Sequence, residues 1–154
     1  FWYDVAMGIF SKNYKPIHEY GEAWTVKQTR IQGKPTLIRY NRALSKATGH
    51  PEYPFQIGVA IPLVNPNESG MPDKSEVSQL DKIEDLLIDM FGTEAILVMV
   101  ITNGIMREFV LYAKEWKPEI YDAQLKKLSK KTRPHSIQFI MKKDVKWFTF
   151  KSLS

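Results

Sequence analysis

Cysteine is absent from the 154 residues. Its absence removes disulfides, zinc–thiolate centres, iron–sulfur clusters and thiol nucleophiles together, and leaves the redox compartment open. Long apolar runs are missing too. The longest, at 95–101, has seven residues, against the ~20 that a membrane-spanning helix needs. Histidine is scarce: His18, His50 and His135 lie far apart, and none has a second His or a carboxylate at a metal-motif spacing. No GxSxG elbow, P-loop or GxGxxG turn occurs. On these grounds no metal and no cofactor is expected.

What is present is ordinary for a globular domain: 44% apolar and 25% charged residues in a length that suits one domain. Disordered tails and collagen-like fibres are excluded by the same figures. The chain begins at Phe1 rather than Met, as a trimmed or processed chain would, a lost signal peptide being one route. A cytoplasmic location is the expectation, with residues 1–23 as an N-terminal extension and 24–154 as a single domain. The net charge of +5 is uneven: residues 107–154 hold 12 basic against 5 acidic side chains, so the earlier part is slightly acidic. A basic half invites an acidic or nucleic-acid partner, and a solvated lysine face is the plainer explanation.

Two strand-like runs, 24–29 and 36–41, flank IQGKP at 31–35, where a glycine offers positive φ and a proline leaves the turn extended. Residues 42–54 read as a connection. From 55 to 61 the alternation of Phe55, Ile57, Val59 and Ile61 marks a strand with one apolar face. Asp73 stands three residues before Glu76, the spacing of a capping box. Val77, Leu80, Ile83, Leu87 and Met90 then recur at helical steps until Gly92. Residues 95–102 and 107–113 read as a hairpin joined by Asn103-Gly104, the preferred pair of a type I′ turn. Pro118 opens a second helix with Tyr121, Leu125 and Leu128 on one face, and 136–141 is a last strand before an aromatic tail of Trp147, Phe148 and Phe150.

The order from 55 to 142 is strand, helix, strand, strand, helix, strand. An α+β, ferredoxin-like βαββαβ sandwich with an added N-terminal β-hairpin is the expected fold. Strand 95–101, AILVMVI, would lie at the edge of such a sheet with two apolar faces and no protecting charge, proline or bulge. Something must cover it. The 24–41 hairpin is the expected cover, with a second subunit as the alternative.

Candidate functional residues are few. Arg39 and Asn41 share one side of their strand by period two, and with Arg107 and Glu108 they form a candidate ligand or partner surface. A wet strand face is the plainer reading of the same residues. Lys126, Lys127, Lys130, Lys131 and Arg133 crowd the end of the second helix as a candidate phosphate or acidic-partner patch, although lysines there also complement the helix dipole. Asp81, Asp85 and Asp89 make an acidic stripe at i, i+4 and i+8, which reads first as a solvent face.

Several stretches resemble the DUF695 family, a bacterial domain of unassigned function. They are GKP at 33–35, RYN at 39–41, ESGMP…LDKIEDLL within 68–87, ITNGIMREFVLYA at 101–113 and DVKW at 144–147. Glu84, Asp85, Arg107 and Glu108 match family-typical positions. The family brings no catalytic or ligand residues to transfer. A distant likeness in architecture to regulators that inhibit ribonuclease E implies a regulatory or binding module. The expected function is therefore a non-catalytic regulatory or protein-interaction module, monomeric or homodimeric and without a membrane. An RNA- or ribonuclease-associated binder is the alternative, and an undetected hydrolase the second alternative.

Overall fold

The computed structural model describes residues 13–154. The opening FWYDVAMGIF and the rest of 1–12 lie outside the described residues. Six strands form one antiparallel sheet: β1 (Trp24–Ile31), β2 (Lys34–Asn41), β3 (Phe55–Pro62), β4 (Ala95–Thr102), β5 (Met106–Ala113) and β6 (Gln138–Lys143). Helix α1 (Lys74–Phe91) follows β3, α2 (Pro118–Thr132) follows β5, and a short α3 (Phe148–Leu153) closes the chain in what reads from sequence as an aromatic tail. The sheet order is β1-β2-β4-β5-β3-β6. Within it, β6-β3-β5-β4 with α1 and α2 on one face is compatible with a ferredoxin-like arrangement, and the hairpin β1–β2 is the addition.

The hairpin covers β4, as its bare apolar edge requires. Leu37, Ile38, Arg39 and Tyr40 of β2 pair with Thr102, Ile101, Val100 and Met99. Contrary to the sequence expectation, β4 does carry a bulge. Its register with β5 slips between Leu97 and Met99, so Val98 and Met99 both enter the core on the side away from the helices.

The tight I′-like turn is also elsewhere than expected. Ile31 pairs with Lys34 around Gln32 and Gly33, whose φ angles are +52° and +78°, which is the two-residue type I′ geometry. Asn103-Gly104 has no positive φ. There the Asn103 carboxamide oxygen accepts from the amides of Ile105 and Met106, at 2.8 and 2.9 Å, and makes a longer loop. Gly104 serves close approach instead: a Cβ there would overlap the carbonyl oxygens of Asn67 and Gly70.

Both faces of the central strands are buried, which explains why AILVMVI is apolar on both sides. On one face Leu80, Ile83, Leu87 and Phe91 of α1, with Tyr121 and Leu125 of α2, pack on Ile57, Val59, Ile61, Phe109 and Leu111. On the other, Trp147 and Phe150 join Leu44, Ala47 and Tyr53 against Ile38, Val98, Val110 and Tyr112. Trp147 takes the left-handed conformation at φ +58°, donates from Nε1 to the Tyr53 carbonyl at 2.8 Å and stacks on Tyr112 at 4.3 Å. Asp144 fastens that turn by accepting from the Phe148 and Thr149 amides and the Tyr112 hydroxyl. Burial works to raise the Asp144 carboxyl, but these three donors outweigh it and hold the group below its ordinary range.

Candidate functional site: a groove beneath helix α1

Helix α1 starts where the sequence places it, with the Asp73 carboxylate accepting from the Glu76 amide at 2.8 Å. It carries two stripes. The first, Leu80, Ile83, Leu87 and Phe91, is buried in the core. The second, Asp81, Glu84, Asp85 and Ile88, follows i, i+3, i+4, i+7 spacing and overhangs the hairpin. On the hairpin, Trp24 and Val26 of β1 stand opposite Asn41 and Arg39 of β2, so all four share the sheet face that α1 covers. Between helix and hairpin runs a groove.

Three cavities follow one another along it. The first, about 710 Å³, lies at the C-terminal end of α1 among Trp24, Arg39, Glu84, Ile88, Leu97 and Lys114. The second, about 480 Å³, is bounded by Val26, Leu37, Arg39, Asp85, Thr102 and Arg107. The third, about 490 Å³, is lined by Gln28, Arg30, Pro35, Leu37 and Met71. Arg39 and Glu84 belong to the first two and Leu37 to the last two, so the cavities share walls. The eight-residue strands beneath give a run of about 25 Å at ~3.3 Å per residue.

Two arginines cross this groove. The Arg39 guanidinium pairs with Glu84 of α1 and lies over the Trp24 ring, 5.1 Å from its centroid. Arg107 donates from Nε to the Thr102 hydroxyl at 2.8 Å and pairs with Asp81 at 3.0 Å. Asp85 has no ion-pair partner among the described residues. Asn41 is buried at one end and is structural. Its oxygen accepts from the Ala23 and Ala43 amides and its nitrogen donates to the Gly21 carbonyl, tying three segments together.

Of the residues singled out from sequence, the fold therefore gathers Arg39, Asn41 and Arg107 along one groove. Glu108 does not join them. Adjacent residues of a strand point to opposite faces, so Glu108 lies on the far side of the sheet from Arg107, where burial raises its carboxyl against the lowering effect of Lys142. The wet-face reading also needs correction, since Asn41 and Arg107 are buried. All three aspartates are exposed; Asp81 and Asp85 border the groove and Asp89 does not. Glu84, Ile88, Trp24 and Val26 are the additions. The i, i+3, i+4, i+7 pattern of 81, 84, 85 and 88 is the sequence signal that carries the helical pair.

The basic residues stay at the end of α2, where Lys126 and Arg133 border a cavity of about 380 Å³. Lys126 pairs with Asp122 one turn back at 2.9 Å, and Lys127, Lys130, Lys131 and Arg133 are exposed around the end of α2. Trp147 and Phe150 are buried under the opposite sheet face, and Phe148 alone of the three aromatics is exposed. The histidines divide similarly. His18 is exposed, while His50 is buried with Nε2 donating to the Lys15 carbonyl and Nδ1 accepting from the Glu52 amide. His135 is buried against Glu76, Nε2 to carboxylate 2.7 Å. Among the described residues no group of three or more His, Asp or Glu is arranged to hold a metal ion, and no helix is long and apolar enough to cross a membrane.

Fold and groove together define an antiparallel α+β domain with a hairpin-walled cleft. The family model of DUF695, a family of unknown function, matches residues 22–154, and the chain belongs to that family. No curated protein matches the chain, and no solved structure does. Most of the residues that carry the family resemblance fall in two places in this structure, and Glu108 stands apart on the opposite sheet face. Asn41, Asn103, Gly104, Asp144 and Trp147 fix turns and caps, and Arg39, Glu84, Asp85 and Arg107 lie in the groove.

Proposed function

We propose that this chain is a protein-binding module, not a catalyst, and that its groove receives an extended polypeptide segment. The observation that carries the reading is the file of three cavities sharing walls along the whole hairpin. A small metabolite would use one compact pocket, whereas an extended chain sets alternate side chains about 7 Å apart and suits successive cavities. The arginines support binding over chemistry, because each is held by a carboxylate of α1 and serves as a fixed crossbar. The complementary segment carries a basic side chain for Asp85, which is unpaired among the described residues, and apolar side chains for the surfaces of Trp24, Val26 and Ile88. Val26 and Ile88 are 58% and 45% exposed, unusual for aliphatic side chains lining a cleft, and a bound segment would cover them. RNA binding at the end of α2 has less support, because two of the three aromatics available for stacking are buried elsewhere.

The test is selection of random dodecapeptides displayed on phage against the immobilised chain, followed by titration of the enriched peptides. The expected motif alternates apolar residues around a Lys or Arg, and Asp85→Lys or Ile88→Glu should weaken its binding at least tenfold. Peptides that bind both variants as well as the parent chain would place the binding surface elsewhere.

A further inference from the structure

By covering β4, the hairpin moves the open edge of the sheet outward to β1, and we infer that a second copy of this chain pairs there, β1 against β1, about a two-fold axis at Gln28. β1 ends the strand order and is hydrogen-bonded only to β2 among the described residues. Its eight pairs with β2 run without a bulge, it contains no proline, and Val26, Gln28, Thr29, Arg30 and Ile31 are exposed. Lys27 and Arg30 put charge on this edge, and a long, regular, open edge is a pairing template only in a register that keeps those charges apart.

The hydrogen-bond alternation is fixed by the turn. Ile31–Lys34 closes the two-residue hairpin, and at the other end the Arg42 amide donates to the Ala23 carbonyl at 2.9 Å. Odd-numbered residues of β1 therefore bond to β2, and Trp24, Val26, Gln28 and Arg30 direct their amides and carbonyls to the open side.

Antiparallel pairing about an axis normal to the sheet joins residues of like parity, so only certain registers use these groups. Centred on Gln28, the pairing sets Gln28 against itself and Val26 against Arg30, which gives about six backbone hydrogen bonds. Lys27 then faces Thr29 and Thr25 faces Ile31, so no like charges oppose. Centred one residue earlier, the same strand would set Lys27 directly against Lys27, an arrangement that costs stability. The charges thus exclude the Lys27 register, and the Gln28 register is the one that pairs the exposed residues Val26, Gln28 and Arg30 with one another. The far edge, β6, is shorter and ends in Lys142 and Lys143, and joining it to β1 of another copy would be a head-to-tail contact that does not close.

The pairing doubles the sheet and sets two grooves side by side on one face, whatever each groove binds. One strand pair buries less than the ~1,600 Å² of a standard interface, so the dimer should be weak and concentration-dependent. Sedimentation of the full chain from micromolar to millimolar concentration should show a monomer–dimer equilibrium. Gln28→Lys, a change at an exposed side chain, should weaken it at least tenfold, with circular dichroism unchanged.

Because the chain has no cysteine, Gln28→Cys supplies a single thiol. Opposed across the axis at a Cα separation of about 5.5 Å, two such thiols can form a disulfide. Lys27→Cys, which faces Thr29 in this register, should remain a free thiol. Three results would overturn the inference: a monomer at millimolar concentration, a dimer indifferent to Gln28→Lys, or faster cross-linking by Lys27→Cys than by Gln28→Cys. Growth beyond the dimer would overturn it too, in favour of β1–β6 contacts.

Discussion

Replacing Glu76 by alanine should destabilise this domain more than removing the helix cap beside it. The Glu76 side chain is buried and accepts from the Val64 amide at 2.6 Å, the Asn65 amide at 3.3 Å and His135 Nε2 at 2.7 Å. It thereby ties the start of α1 to the end of β3 and to the turn after α2. Alanine leaves the His135 ring nitrogen unpartnered in the interior, where a stranded donor costs about 1–3 kcal/mol. The two amides belong to exposed residues and can turn to water, so they add a smaller amount. The sum is about 2–4 kcal/mol, against about 1 kcal/mol for Asp73→Ala, which removes only the cap.

The same site predicts a pH dependence. Burial works to raise the Glu76 carboxyl, but the Val64 amide, His135 and the Asn65 amide outweigh it and hold the group below its ordinary value. A carboxyl lowered on folding contributes stability that is fully present above the unfolded value of about 4.3. That stability is lost as the pH falls through the folded value. Urea denaturation followed by circular dichroism, at pH 7 and again below pH 4, measures both effects. The reasoning is refuted if Glu76→Ala loses no more than Asp73→Ala at neutral pH, or if Glu76→Ala keeps the same gap from the parent chain in acid.

Gly104→Ala should cost about 2–3 kcal/mol, because its Cβ overlaps backbone oxygens of the 65–72 loop that cannot rotate away; amide exchange in that loop should accelerate alongside. Gln32→Asn should stabilise by a few tenths of a kcal/mol in thermal melts, since asparagine tolerates the +52° φ of the type I′ turn better than glutamine does. Trp147→Ala should cost about 3–5 kcal/mol, the toll of emptying a fully buried ring site, and should also expose the indole-free cavity to hydrophobic dye. If the lysines at the end of α2 contact RNA, affinity for a single-stranded oligonucleotide should fall steeply with added salt and with Lys130→Glu; a flat response would remove that alternative.

Local pattern sufficed for the six strands and the two long helices, though not for the short helix Phe148–Leu153 or for the turn type at Asn103-Gly104. The alternation of Ile57, Val59 and Ile61, the helical recurrence of Leu80, Ile83 and Leu87 and the Asp73 cap all act over neighbouring positions, and the strands and helices stand where these signals put them. The apolar sequence at 95–101 carried tertiary information as well. A strand apolar on both faces cannot be left at an edge, and the hairpin is what covers it.

Strand parity by itself separates Arg107 from Glu108, and only tertiary structure decides which of the two meets α1. Only it could set Glu76 against His135, 59 residues apart in the chain. A capping-box glutamate and a loop histidine look like local features until two loops converge on one carboxylate. The groove is of the same kind. Arg39 and Glu84 lie 45 residues apart, and their meeting depends on how far α1 overhangs the added hairpin, a packing distance that no single segment encodes.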